Sequence, residues 1–472
     1  MKRQSALLFS IISFFLIPAA MAASNEILRL EDFMNQVRAK NDAVKAATEN
    51  REGSKARSAD ANLLFTPTLG FDLNAIDDRK RGLLFPLNRQ VLDTATLAIS
   101  NQFSLTGTQL RAGYTLQNFE YYFASGATTK TYLGSPFVEV RQPLWRNFLG
   151  SESRATRDLL QSDAMAKHYE ETMRLKQSLT GAEGAYWRLA VARQWLKIQT
   201  KALERAKNIL DHNEKKARLG LGDKADVYQA TALHQARKLE LQAAKDEERS
   251  ARVSFNLARG RDGQEVTEKL LDLYAEENVK METPKRAGIR EDALAAQERV
   301  KQAEASAQQG KERNRPTLEA FASYTMNAYT GQALASFSDA FSANQPTRAI
   351  GLKFSVPLDL VSTHRSIDGY AREQAGAELN ANRKLFEQEQ EWLDLSQKSE
   401  EAKLRLKLAH EMEDAQEKKL SYERDRLNRG RSTTAQVALF ENDYSQAQLA
   451  RMRAQVDVLG LNAQMKTFSE LK

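Results

Sequence analysis

The sequence predicts a mainly α fold in which very long helices join a small membrane β-barrel, built as two structural repeats. Three observations carry this reading: helical segments of about 65 residues, period-two segments fringed by aromatics, and prolines and glycines that punctuate both halves in the same order. A helix of that length would run roughly 100 Å at 1.5 Å per residue. It has no place inside a globular core and implies a coiled coil, a bundle or a tunnel wall.

The bulk properties suit long solvated helices. Of 472 residues 28% are charged and only nine are proline, and mean hydropathy is −0.58. The net charge is +7, but 69 basic residues are mixed among 62 acidic ones with no basic block; nucleic-acid binding is therefore not expected. Absence of cysteine excludes disulfides, thiolate metal sites and a thiol nucleophile.

Lys2 and Arg3, an apolar run from Ala6 to Ile17, Pro18, and Ala20-Met21-Ala22 read as a signal peptide over 1–22. The alternative is a membrane anchor, for which the run is short. No later stretch reaches 18 consecutive apolar residues, so a membrane span would have to be a closed β-barrel.

Helices are expected at Leu30–Asn62, Ser151–Ala217, Lys224–Arg259, Arg290–Arg313, Thr363–Leu427 and Thr433–Phe468. Leu189, Leu196, Leu203 and Leu210 recur every seven residues, with Ala192 and Ala206 three residues after two of them. That spacing is a packing stripe, either a coiled-coil seam or an ordinary amphipathic face. Leu385, Trp392, Leu406, Leu420 and Leu427 share a second heptad register, interrupted by Ser399 and Glu413.

Strands are expected where the period drops to two. Leu69, Phe71, Leu73 and Ala75 alternate within Thr68–Ile76; Leu318, Ala320, Ala322, Tyr324 and Met326 within Thr317–Met326; and Ile350, Leu352, Phe354 and Val356 within Arg348–Val356. Further strand-like pieces run Thr94–Leu105, Gln109–Gln117 and Pro136–Gln142. Phe103, Tyr114, Phe119, Tyr121, Tyr122, Phe123 and Tyr132 crowd the same zone, as the fringe of a membrane barrel requires.

The punctuation is duplicated. Pro67 and Pro316 each end a helix and open a strand, and Pro143 and Pro357 each close the last strand before a long helix. Gly220 and Gly430 then break the long helices, followed by Asp226-Val227 and Gln436-Val437. Pro143 to Gly220 spans 77 residues, and Pro357 to Gly430 spans 73. The domain reading is a first helix–strand–helix repeat over 23–259 (strands about 66–143), a joining segment over 260–288, and a second repeat over 289–472 (strands about 316–357). Between the strand-bounding prolines the first half is longer, so it carries an extra hairpin or a long loop.

This order of elements, from about Ile27 to Phe468, resembles the outer-membrane efflux protein (TolC) family. The resemblance implies a homotrimer in which each protomer gives four strands to a shared twelve-stranded barrel in the outer membrane. The long helices would pack into a periplasmic α-barrel that narrows at the two helix–turn–helix tips. It further implies an exit duct for efflux or type I secretion, driven by an inner-membrane pump and met at the tips by a periplasmic adaptor protein. On that resemblance Gly220, Asp226, Val227, Gly430, Arg431, Gln436 and Val437 form the gate and adaptor contact. For Asp226 and Arg431 the plainer reading is solvated turn residues. Gln436 and Leu439 stand where the family's namesake has two pore-lining aspartates, and Ser432 stands where the partner of the Asp226 latch is arginine. A pore without that carboxylate ring is expected to be less cation-selective.

No catalytic constellation is present. The five histidines have no ligand spacing, and there is no phosphate loop or nucleophile elbow. No enzyme activity, metal or cofactor is expected. The competing reading is a non-conducting periplasmic coiled-coil scaffold, which would need no lipid-facing strands.

Overall fold

The computed structural model describes residues 27–79, 87–273, 284–342 and 345–471. The expected signal peptide over 1–22 lies outside the described residues, as does 274–283 of the joining segment. The chain begins with β1 (Ile27–Leu28), α1 (Leu30–Lys40), α2 (Asp42–Arg57) and α3 (Asp60–Leu63). Four strands follow: β2 (Thr68–Asp78), β3 (Leu87–Gln102), β4 (Gln109–Phe123) and β5 (Thr128–Pro143). Then come α4 (Ser151–Arg218), α5 (Lys224–Ala258), β6 (Lys269–Leu270) and α6 (Glu291–Arg313). The second half continues with β7 (Thr317–Thr325), β8 (Ala328–Thr330), α7 (Ala333–Asp339), β9 (Thr347–Ser355), α8 (Leu360–Asn428) and α9 (Thr434–Met465).

Two compact units are built from interleaved stretches of chain. One takes the described residues of 27–42, 179–273 and 398–464; the other those of 43–178, 284–397 and 465–471. The second unit holds one antiparallel sheet in the order β2-β3-β4-β5-β7-β9, with β8 added beside the upper part of β5. Pro67 and Pro316 stand immediately before β2 and β7, Pro143 is the last residue of β5, and Pro357 lies two residues past β9. Proline cannot continue a ladder or a helix, so it fits these boundaries.

The first unit packs around Phe33, Tyr186 and Phe255, all fully buried. Phe33 stacks on Phe255 with ring centroids 4.4 Å apart, and the Tyr186 hydroxyl donates to the Leu28 carbonyl at 2.8 Å. β1 and β6 pair in parallel beside them. Arg193 steadies the segment before β6 by donating to the Glu268 and Val266 carbonyls at 2.6 and 2.5 Å. Neither short strand carries a periodic signal long enough to be read from sequence.

Several expectations are corrected. The single helix expected over Leu30–Asn62 is three helices. Asn41 adopts an extended backbone (ψ 117°) and its side-chain amide donates to the Ala258 carbonyl at 2.7 Å, a tertiary hydrogen bond that holds the chain at the break. The strands of the first half are longer than Thr94–Leu105, Gln109–Gln117 and Pro136–Gln142, because their upper residues pair through charges rather than apolar alternation. Arg89 meets Asp77 at 2.7 Å and Lys130 meets Glu120 at 2.5 Å. The six strand segments read from the sequence all join one sheet, with the short β8 added, and the extra length of the first half is the hairpin β3–β4.

The long helices run 68 and 69 residues. Their stripes are two-lined, as a coiled-coil seam requires. On α8 the second line is Ala381, Gln388, Leu395, Ala402 and Ala409, all buried, and the apparent interruptions Ser399 and Glu413 are buried too. On α4 the second line is Ala192, Gln199, Ala206 and Asn213. Polar residues therefore sit inside both seams.

Candidate functional site

Three features invite a functional reading: one face of the sheet, the two helix–helix turns, and a charged cluster among α4, α8 and α9.

Cross-strand register puts one apolar row beside the next across the whole sheet. Phe71 of β2 faces Leu97 of β3, which faces Tyr114 of β4; Ala112 faces Val138 of β5, which faces Tyr324 of β7; and Ala322 faces Ile350 of β9. Because direct partners share a face, these side chains form one continuous surface. Leu69, Phe71, Leu73, Leu97, Ile99, Ile350, Leu352 and Phe354 are all exposed on it. Above, the band turns polar: Asn118 donates to Asp93 at 3.1 Å and the charged pairs of β2–β5 begin. Below, exposed Phe103, Leu105, Val356 and Leu358 carry apolar surface past the strand ends. About seven residues of strand at 3.3 Å each make a band of roughly 20 Å. α7 lies on part of this face: Tyr114 donates to the Ser336 carbonyl and stacks near Phe337 at 4.8 Å. The helix buries Ser336 and turns Leu334 and Phe337 outward, and Phe341 in the turn that follows is exposed as well, extending the apolar exterior.

The turns are built alike. Gly220 adopts φ 72°, and the Leu221 amide reaches back to the Lys216 carbonyl at 2.9 Å. Gly430 adopts φ 69°, and the Arg431 amide reaches the Arg426 carbonyl at 2.8 Å. This left-handed cap closes the last helical turn, and only glycine adopts it without steric cost. The following helices are capped differently: the Asp223 carboxylate accepts from the Ala225 amide, whereas the Thr433 hydroxyl accepts from the Gln436 amide. The caps were not singled out in the sequence; Asp223, immediately before α5, is the carboxylate that caps this turn. Asp226 and Val227 are half-buried, Arg431 and Gln436 are exposed, and Val437 is fully buried against Leu420 and Leu427. Ser432 donates to Glu423 of its own hairpin at 2.5 Å. The first turn exposes Leu219, Leu221 and Tyr228; the second exposes Arg429 and Arg431. Thr434 donates to Asn213 at 3.1 Å, tying the start of α9 to α4.

Behind the second turn lies the feature that composition and spacing missed. Glu441 of α9 is 2% exposed. Its carboxylate accepts from the Arg205 guanidinium of α4 at 3.1 and 3.2 Å and also from Arg424 of α8. Arg451 reaches Glu413 at 3.1 Å, and Arg205 lies 5.9 Å from the Tyr444 ring centre. Arg205, Arg424, Glu413, Arg451 and Tyr444 line a cleft of about 590 Å³ together with Lys197, Lys201 and Glu417. Burial, with the charge of Arg205 added, lowers the Arg424 pKa to about 10; burial, with Glu417 and Glu413 nearby, raises that of Tyr444 to about 12. Arg205 is lowered as well, again by burial. In sequence these charges lie far apart within helices rich in charge, and only the seam interruption at Glu413 pointed to them.

Among the described residues no helix is long and apolar enough to cross a membrane, and no group of three or more His, Cys, Asp or Glu is placed to hold a metal ion.

No protein-family model matches the sequence. No curated protein matches it either. Solved structures do. The outer-membrane channel OprN superimposes with a TM-score of 0.66 at 15% identity, over 93% of this chain and 89% of that one. The outer membrane protein VceC of Vibrio cholerae gives 0.65 at 16% identity, over 93% and 95%. The open state of the Neisseria gonorrhoeae MtrE outer membrane channel gives 0.62 at 14% identity, over 93% and 88%. The chain thus has the fold of these outer-membrane channel proteins over nearly all of its length.

Proposed function

We propose that the protein is an outer-membrane exit duct: a passive conduit for export, with its sheet in the outer membrane and most of its chain in the periplasm. The observation that carries this reading is the apolar face that crosses an antiparallel sheet from β2 to β9, exposed except where α7 lies on it. Such a face suits lipid, and unpaired strand edges in lipid leave backbone groups unsatisfied. Copies that pair edge to edge remove both problems. A homotrimer is the arrangement we favour, with the two halves of the chain acting as structural repeats. The matched lengths of α4 and α8 and the matched glycine turns support it.

In this reading the tips at Gly220, Asp226 and Val227, and at Gly430, Arg431, Gln436 and Val437, form the gate and the contact for a periplasmic adaptor. An inner-membrane pump supplies the energy, and no catalysis or cofactor is required of the chain. The exposed leucines of the first tip suit an apolar contact, and the arginines of the second suit a pore constriction that disfavours cations. The test is extraction from outer membranes with detergent, mass measurement of the particle, and reconstitution in planar bilayers. Discrete conductance steps from a three-copy particle are expected. A protein that is soluble without detergent and silent in bilayers would overturn the reading in favour of a periplasmic scaffold.

A further inference from the structure

We propose that each copy places six strands, and not four, in the membrane wall, so that a trimer closes an eighteen-stranded barrel through β2 of one copy pairing with β9 of the next. This rests on the duct reading above and extends it to the size of the pore.

The additional hairpin β3–β4 is what decides the count. It could have stood clear of the membrane as an extracellular ribbon, but its register brings it to the base of the sheet. Gln102 pairs with Gln109, and Gln109 with Arg141, two residues below the level at which Thr68, the first residue of β2, pairs with Ser100. The turn at residues 103–108 is seated on the junction between β5 and α4. Gln102 donates to the Ser153 hydroxyl at 2.6 Å, Thr108 donates to Gln142 at 2.5 Å, and Gln142 returns a bond to the Thr106 carbonyl at 3.1 Å. Within that turn Gly107 takes φ 71°, and a Cβ there would come within 2.8 Å of the Asn147 carbonyl oxygen. A hairpin anchored this way traverses the same height as its neighbours.

Its faces agree. Leu97 and Ile99 are exposed in the apolar band, while Thr96 and Ser100 turn to the other face, where Thr96 lies 3.1 Å from Thr115. The band then turns polar at Asp93 and Asn118, the level at which Ala75 ends the apolar row of β2.

An even number of strands also allows closure. Alternating direction across six strands leaves β2 and β9 antiparallel to each other. A second copy can therefore add β9 to β2 in the ladder the sheet already uses, with Leu69, Phe71 and Leu73 continuing the row of Ile350, Leu352 and Phe354. Barrel diameter grows roughly linearly with strand number, so eighteen strands give a lumen about half as wide again as twelve.

The absence of native cysteine makes the test direct. Single cysteines at Ala95, Leu97, Ile99, Ala112 and Leu116, and at Thr94, Thr96, Ser100, Thr115 and Gln117, are labelled in proteoliposomes with a membrane-impermeant maleimide. The expected result is loss of labelling at every second position, with the first set protected and the second reached through the pore. In a second experiment Asp72→Cys or Asn74→Cys is combined with Ala349→Cys or Lys353→Cys and oxidised. Disulfide-linked oligomers ending at three copies are expected from at least one pair, since β2 and β9 are opposite edges within one chain. Uniform labelling of all ten hairpin positions by the impermeant reagent, in protein that still conducts, would sink the six-strand wall while leaving the duct intact. Alternating labelling in protein that never conducts would keep the wall and remove the duct.

Discussion

Glu441 holds three helices by one buried carboxylate, so its removal has a size that can be worked out. In Glu441→Ala, Arg205 and Arg424 lose their shared acceptor and face each other across the space it occupied. Their side chains are 22% and 36% exposed, so each still reaches some water. Breaking a buried ion pair from one side costs about 3–5 kcal/mol, and that residual hydration puts the cost here near the lower end, about 3 kcal/mol. At 1.36 kcal/mol per tenfold, this is roughly a 150-fold rise in the population of locally opened α8–α9. Hydrogen exchange with mass detection on the detergent-solubilised protein reads that population. Peptides from 413–428 and 434–452 should lose about two decades of protection, while 109–142 in the sheet stays unchanged. Glu441→Gln, which keeps the shape and one acceptor, should lose less. The combined variant Arg205→Met, Arg424→Leu, Glu441→Leu should return close to wild type, because replacing a whole buried ionic group by apolar side chains is often neutral or stabilising. Protection unchanged in Glu441→Ala, or a combined variant worse than the single one, would refute the assignment of the cluster as the clasp behind the second turn.

Gln199 is fully buried in the α4 seam, and neither polar atom of its amide has a hydrogen-bond partner among the described residues. Gln199→Leu should therefore stabilise by about 1–2 kcal/mol, seen as a raised thermal midpoint, since an unsatisfied buried polar group costs about 1–3 kcal/mol. The Tyr444 phenol should titrate at about 12, read as the ultraviolet difference between wild type and Tyr444→Phe. Because that value lies above the usual ~10, the phenol's contribution to stability is whole below pH about 10 and is lost as pH rises through about 12. At the second tip, Gln436→Asp with Leu439→Asp should shift reversal potentials in a salt gradient toward cation selectivity, as a carboxylate ring does. An unchanged reversal potential would place these positions away from the constriction.

Long-range order along the chain was legible in the sequence because it depends on local rules. Pro67, Pro143, Pro316 and Pro357 bound strands by what proline cannot do, Gly220 and Gly430 turn by what only glycine adopts cheaply, and the period of apolar residues separates α4 and α8 from β2, β7 and β9. Tertiary structure alone decided the rest. The break at Asn41 is held by the Ala258 carbonyl beside it. The upper halves of β3–β5 form because charges on neighbouring strands meet there, a pairing that no single strand displays. Whether β3 and β4 stand in the sheet or outside it depends on where the turn at 103–108 docks, through bonds to Gln142 and Ser153 that span 34 to 51 residues of chain. Glu413 and Glu441 look like two more charges in a charged helix until α4, α8 and α9 are brought together around them. Local propensity follows from a few consecutive residues, whereas register and charge pairing are properties of segments that meet only after folding.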